Sequence, residues 1–72
     1  MDERDLSMIQ SLSPVDTELA ELYAHHQALE QKLEGFSARR YLSPNDQVEV
    51  KRLKVQKLRG RDRIEAILSR YR

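Results

Sequence analysis

The feature that most constrains this chain is a stripe of seven positions, each three or four residues from the next, in its N-terminal half. In order, the stripe consists of Val15, Leu19, Leu22, His26, Leu29, Leu33 and Phe36. Steps that alternate between four and three define one face of an α-helix, and their regularity is that of helices that pack side by side. The pattern predicts a helix over about residues 14–35 that needs a partner along its length.

A second stripe in the C-terminal half supplies that partner. Its members are Val50, Leu53, Lys57, Gly60, Ile64, Ile67 and Tyr71. They predict a second helix over about residues 44–71. With a turn near residues 39–40 the two helices align antiparallel, and the alignment places Val15 opposite Ile64, Leu19 opposite Gly60, Leu22 opposite Lys57 and His26 opposite Leu53. Because Gly60 has no side chain, we expect either a close approach of the helices or a small gap at that position.

The pattern Leu-Ser-Pro-x-Asp occurs twice, at residues 12–16 and 42–46. A serine before a helix can accept a hydrogen bond from a free backbone N–H, proline suits the first helical position, and aspartate favours the positive helix end. The pattern therefore predicts N-caps at Ser13 and Ser43. Gly35 is a natural C-cap, which leaves residues 36–43 as the connection and residues 1–12 as a short or frayed helix.

The predicted fold is all-α: a single domain over residues 1–72 that forms an antiparallel, coiled-coil-like hairpin of two helices, with a short N-terminal helix. An alternative is one long helix broken only at Ser43-Pro44 that pairs with other chains, but the segment from Gly35 to Pro44 disfavours it. A core of this size supplies only about 3–5 kcal/mol of stability. We therefore expect hairpins to assemble into a helical bundle.

Charge divides the chain sharply although its net charge is only +1. Residues 1–36 carry eight acidic and two basic residues, whereas residues 37–72 carry four acidic and eleven basic residues. Such asymmetry can indicate a basic surface for nucleic acid, or two halves that lie against each other and neutralise one another. Neutralisation is the favoured interpretation. The candidate basic face consists of Lys51, Arg52, Lys54, Lys57, Arg59, Arg61 and Arg63.

Composition argues against several classes of protein. The chain has no cysteine, which excludes disulfides and thiolate metal sites. It has no apolar run of about 18 residues, and its acidic N-terminus is unlike a signal peptide, so we expect a soluble cytoplasmic protein that does not enter a membrane. His26 with Glu30, and Glu21 with His25, have metal-ligand spacing, but two ligands make a weak site. We expect no metal, no cofactor, no small-molecule substrate and no enzymatic activity.

A narrower apolar strip lies on the far side of the second helix. At 100° per residue, Val48, Val55 and Ala66 fall opposite Leu53, and Leu58 lies beside them. A two-helix hairpin can cover only one side of each helix, so this strip predicts contact with a further chain. Small residues on the back of the first helix would let another helix approach: Ala20, Ala24 and Ala28. The candidate interface is Val48, Val55 and Leu58, and we expect a homo-oligomer or, failing that, an unidentified protein partner.

Both helices also carry a residue pattern known from one family. In the second helix the pattern comprises Leu53-Lys54, Lys57-Leu58, Asp62, Ile64, Ile67 and Leu68, and in the first helix Leu22-Tyr23, His26 and Leu29-Glu30. Over roughly residues 16–68 the chain resembles the YdcH-like family of short bacterial proteins of unknown function, and it departs from that family at Arg59-Gly60-Arg61. The resemblance implies a helical hairpin and supplies no activity. The favoured function is a protein–protein interaction or self-assembly module, and the alternative is a nucleic-acid-binding accessory protein that uses the basic face.

Overall fold

The computed structural model describes residues 2–72, and over that range the chain forms three α-helices. They are α1 (Glu3–Leu12), α2 (Thr17–Ser37) and α3 (Pro44–Ser69). α2 and α3 are the two predicted helices; they pack along each other, and α1 packs against both at the end away from their connecting loop. The molecule is elongated, with extents of 42 × 18 × 17 Å. Within residues 2–72, none of these helices combines the length and the apolar character needed to cross a membrane.

The apolar core is concentrated at one end of the hairpin. Its fully buried members are Ile9, Leu19, Ile64, Ile67 and Leu68, and Met8, Leu12, Leu22 and Tyr23 pack around them. Towards the loop the buried apolar side chains are Leu29 and Leu53. The short helix α1 therefore completes the core, because it brings Ile9 into contact with side chains of both longer helices.

The turn between α1 and α2 differs from the prediction for residues 13–16. Ser13 is not the N-cap of α2; it follows the last residue of α1, and its hydroxyl donates a hydrogen bond to the Ile9 carbonyl at 2.6 Å. Asp16 is the N-cap, and its Oδ1 accepts from the Leu19 N–H at 3.0 Å. The physical reason is that α1 continues to Leu12, so the next three residues must reverse the chain. Val15 consequently precedes α2 and is 79% exposed, and its predicted place opposite Ile64 is wrong.

The start of α3 has the capping arrangement predicted for it. The Asp46 N–H donates to Ser43 Oγ at 3.1 Å, and the Ser43 N–H donates to Asp46 Oδ2 at 3.2 Å, so two free N–H groups are satisfied reciprocally. Pro44 occupies the first turn, where its missing N–H costs nothing. The N-cap prediction for Ser43 is confirmed.

The ends of α2 and α3 differ from the sequence-based boundaries. Gly35 is not a C-cap, because α2 continues to Ser37 and closes at Ala38 in a right-handed helical conformation. Ala38 donates to the carbonyl oxygens of residues 34 and 36, so no left-handed residue is needed. α3 ends at Ser69, so Tyr71 lies beyond the helix rather than in its stripe.

Three ion pairs along the hairpin show that α2 and α3 run in opposite directions. Arg39 pairs with Asp46 beside the loop at 3.1 Å, Lys57 with Glu30 further along at 3.3 Å, and Arg63 with Glu18 near the far end, where Nε donates at 2.7 Å. The acidic α2 thus lies against the basic α3.

The predicted register is wrong in detail. Lys57 reaches Glu30 instead of lying opposite Leu22, and Leu53 shares a groove with Phe36, nearer the loop than His26.

Gly60 lies in the interior of α3 beside open space. A Cβ atom added there would meet no atom within 4 Å, so the glycine does not serve a close approach of the helices. Of the two expectations for this position, the close approach is wrong, and a Cβ atom there would face open space.

Candidate interaction surface

The outer side of α3, opposite its buried side chains, carries the apolar strip that we define by Val48, Val55 and Leu58. These side chains are 67%, 49% and 57% exposed, respectively. Their positions follow from helix geometry, since a rotation of 100° per residue places them away from the buried Leu53 and Ile64. Ala66 extends the strip towards the end of the helix and is also exposed.

A shallow groove beside the outer strip adds an apolar residue from α2. Leu33 and Leu58 line this groove, and its rim is cationic: Lys54, Lys57 and Arg61. The sequence assigned Leu33 to the buried stripe of α2, and the structure leaves it only half-buried. The apolar surface is therefore wider than the helical wheel of α3 alone indicates.

The seven residues of the candidate basic face divide into two groups. Three of them make ion pairs with carboxylates: Arg52 with Glu49 at 2.8 Å, Lys57 with Glu30 at 3.3 Å, and Arg63 with Glu18. The other four are exposed and make no ion pair within residues 2–72: Lys51, Lys54, Arg59 and Arg61. Because exposed pairs contribute little free energy, their main effect is to lower the positive potential of this face.

His26 lies at the centre of a polar layer between α2 and α3. Its side chain is buried, and Nε2 approaches Glu30 Oε1 at 3.2 Å, the oxygen that also pairs with Lys57 Nζ. Burial lowers the pKa of His26 because it disfavours the imidazolium, and the Glu30 carboxylate only partly opposes this effect. The neutral ring therefore donates from Nε2, which leaves Nδ1 as a buried acceptor with no hydrogen-bond partner among the described residues.

Glu30 connects this polar layer to both helices. Burial opposes its ionisation, but the hydrogen bond and the charge of Lys57 outweigh burial, and the pKa of Glu30 is lowered.

A shallow depression next to the layer is lined by Leu6 and Tyr23, and Gln27 Nε2 donates to the Tyr23 hydroxyl at 3.1 Å. Within residues 2–72, no group of three or more His, Asp or Glu side chains is arranged to hold a metal ion.

A second charged cluster joins the C-terminal residues to α1. Arg72 pairs with the buried Asp5, and it also lies 3.7 Å from Glu65. The Tyr71 hydroxyl donates to Asp16 Oδ2 at 2.9 Å. The pKa of Asp16 is lowered, first by the Leu19 N–H and then by this hydroxyl, and the pKa of Tyr71 is raised by the same bond.

Sequence reasoning did not find this cluster. Its partners are 55 and 67 positions apart, so no local spacing relates them. The ion pairs of Arg72 hold the C-terminal residues against α1 and α3, at the end of the hairpin where the apolar core is concentrated.

Comparison with known families places the two long helices in a recognised group. The family described as "Protein of unknown function (DUF465)" matches residues 19–68, which include most of α2 and all but the last residue of α3. Comparisons with curated proteins and with solved structures found no match. DUF465 includes the YdcH-like small proteins, so the resemblance inferred from the helix patterns is confirmed.

Proposed function

The chain belongs to the DUF465 family of proteins of unknown function, and we propose that it acts as a non-enzymatic helical module that binds another protein chain through the outer strip of α3. The observation that carries this proposal is the exposure of Val48, Val55 and Leu58 on a helix whose other side is buried. Clustered exposed apolar side chains on a small protein are typical of contact surfaces. We expect the module to act in the cytoplasm.

The energetic argument concerns Val55 and Leu58. Complete burial of a valine or leucine side chain contributes about 1.5–3 kcal/mol. Each still exposes about half of its surface, so covering the remainder would add roughly half of that amount per side chain. This gain is considerable beside the stability of about 3–5 kcal/mol expected for a core of this size.

The charges next to the strip restrict what can bind there. Lys51, Lys54, Arg59 and Arg61 are exposed and lack an ion-pair partner within residues 2–72, so a partner must bring carboxylates or must leave these cations in water. A second copy of the chain is the first candidate, and an unrelated protein with acidic residues around an apolar centre is the other.

The proposal is tested with two double variants that add the same charge. Val55→Glu/Leu58→Glu places two carboxylates in the strip, whereas Gln31→Glu/Gln56→Glu places two at exposed positions outside it. Sedimentation equilibrium at high micromolar concentration reports self-association, and pull-down from the host with mass spectrometry reports other partners. We expect the strip variant to lose association that the control retains. Identical behaviour of the two variants in both assays would refute the proposal.

Nucleic-acid binding through the basic face is the second candidate function. The observation that favours it is the same set of four exposed cations without ion-pair partners in the described part of the chain. If all four contact phosphates, the logarithm of the binding constant should fall with the logarithm of salt concentration with a slope of about −3.6 for double-stranded DNA and about −2.8 for a single strand. A column of DNA or RNA developed with a salt gradient tests this, and elution of the native protein together with a Lys54→Glu/Arg61→Glu variant would exclude it.

A further inference from the structure

The outer side of α3 carries a second heptad stripe, of which the apolar strip is only a part. In order, its members are Val48, Lys51, Val55, Leu58 and Asp62, in steps of three, four, three and four, and all five are exposed. Such a stripe is the pattern by which one helix packs lengthwise against another. The hairpin leaves it uncovered, since α2 and α1 pack on the opposite side of α3.

The order of residues in this stripe makes it complementary to itself in one direction only. If two copies meet antiparallel with Val55 opposite Leu58, then Lys51 of each chain lies opposite Asp62 of the other. A parallel pair would instead place Lys51 against Lys51 and Asp62 against Asp62. Like charges in facing positions are destabilising, so the antiparallel pair is favoured. The resulting contact has two-fold symmetry, as in most homodimers.

The ion pairs within the chain support this arrangement. The other acidic residues of α3 already have cationic partners: Asp46 with Arg39, Glu49 with Arg52, and Glu65 with Arg72. Asp62 makes no ion pair within residues 2–72, and neither does Lys51. Asp62 is thus the acidic residue of α3 without an ion pair among the described residues, and the symmetry brings it to Lys51, one of the four exposed cations of this side that also lack one.

From these observations we infer that the strip is occupied by a second copy of the chain, held antiparallel by reciprocal Lys51–Asp62 ion pairs around a centre of Val55 and Leu58. This inference rests on the proposed function, because it names the partner of the same surface. The two α3 helices lie at the middle of the dimer and each α2 lies outside. Leu33, beside Leu58, widens the apolar centre at its edge.

Neighbouring cations oppose this contact. Lys54, Arg59 and Arg61 lie on both flanks of the stripe and approach their counterparts across the symmetry axis. Because these cations and the Lys51–Asp62 pairs involve exposed residues, added salt screens the repulsion and the attraction alike, while the apolar centre depends little on salt. We therefore expect the dimer to persist at high salt. A complex with nucleic acid would dissociate under the same conditions.

Charge reversal at the two paired positions tests the inference. Lys51→Glu places carboxylates opposite Asp62, and Asp62→Lys places ammonium groups opposite Lys51, so each variant alone should dimerise roughly tenfold or more weakly. Mixed in equal amounts, the two variants should form a heterodimer, because both pairs are then restored with opposite signs. Sedimentation equilibrium measures association, and far-UV circular dichroism verifies that each variant is folded.

Matched controls make each outcome decisive. Lys32→Glu and Glu21→Lys change the charge by the same amount at exposed positions on α2, outside the proposed contact, and they should leave the dimer intact. If Lys51→Glu dimerises like the native chain while Val55→Glu/Leu58→Glu does not, the antiparallel register is overturned and the proposed function stands. A native chain that stays monomeric overturns the self-pairing alone, because the pull-down still tests the strip. Equal behaviour of the strip variant and its Gln31→Glu/Gln56→Glu control in both assays overturns both proposals.

Discussion

The two serines that precede prolines should differ in their contribution to stability, although the sequence around them is alike. Ser43 Oγ accepts a hydrogen bond from the N–H of Asp46, a donor of the first turn of α3 that has no partner within the helix. Ser13 Oγ instead donates to the Ile9 carbonyl, which already accepts from the Ser13 N–H at 2.9 Å. Removing the Ser43 hydroxyl leaves the Asp46 N–H without a hydrogen-bond partner in the protein. Removing the Ser13 hydroxyl leaves no group without a partner, because the Ile9 carbonyl still accepts from the Ser13 N–H.

The expected magnitudes follow from this difference. Ser43→Ala should lower the free energy of unfolding by about 1 kcal/mol, within the range of about 0.5–2 kcal/mol for lost N-caps. In a domain of this size that corresponds to a fall of about 4–8 °C in Tm. Ser13→Ala should cost less than about 0.5 kcal/mol, since the Ile9 carbonyl stays bonded.

Thermal and urea unfolding, followed by far-UV circular dichroism at one protein concentration, measures both effects. Ser43→Thr serves as the control, because threonine retains the capping oxygen and should stay close to the native protein. Equal losses for Ser13→Ala and Ser43→Ala would refute the reasoning, as they would show that Ser13 caps α2 after all.

Two further predictions concern the helix interiors and the buried histidine. Gly35→Ala and Gly60→Ala should each raise the free energy of unfolding by about 1 kcal/mol in urea titrations, because both glycines are helical and an added Cβ meets no atom within 4 Å. A loss of stability in either variant would contradict the packing described here. The lowered pKa of His26 means that the folded state resists protonation, so stability should be fully present above about pH 6.5 and should fall as the pH drops below that value. His26→Leu should abolish this part of the pH dependence of unfolding, whereas His25→Leu, at an exposed position, should retain it. If the pH dependence is lost in His25→Leu and retained in His26→Leu, His26 is excluded as its source.

The sequence also indicated where the candidate surface lies. Helix geometry alone places Val48, Val55 and Leu58 away from Leu53, so their exposure could be predicted without a structure. It could not predict which cations around them stay without partners, because that depends on where the carboxylates of α2 lie. Glu30 and Glu18 pair with Lys57 and Arg63, and Lys51 makes no ion pair with a described carboxylate.

What the sequence by itself determined about this protein is its local structure. The spacing of apolar residues predicts the two long helices, and Ser43, Pro44 and Asp46 predict where α3 begins. These features depend on backbone geometry and on hydrogen bonds between residues within about four positions of each other, so they are present in the sequence pattern itself.

Only the tertiary structure decided where α1 packs and which residues form the turn and the N-cap between α1 and α2. α1 docks on both long helices through Ile9, and this makes residues 13–15 a turn and Asp16 the cap of α2. The same docking concentrates the core at one end and brings Asp5 to Arg72. Contacts between residues more than 40 positions apart depend on which helix faces meet and in which register, and the pattern within a single helix does not fix that register.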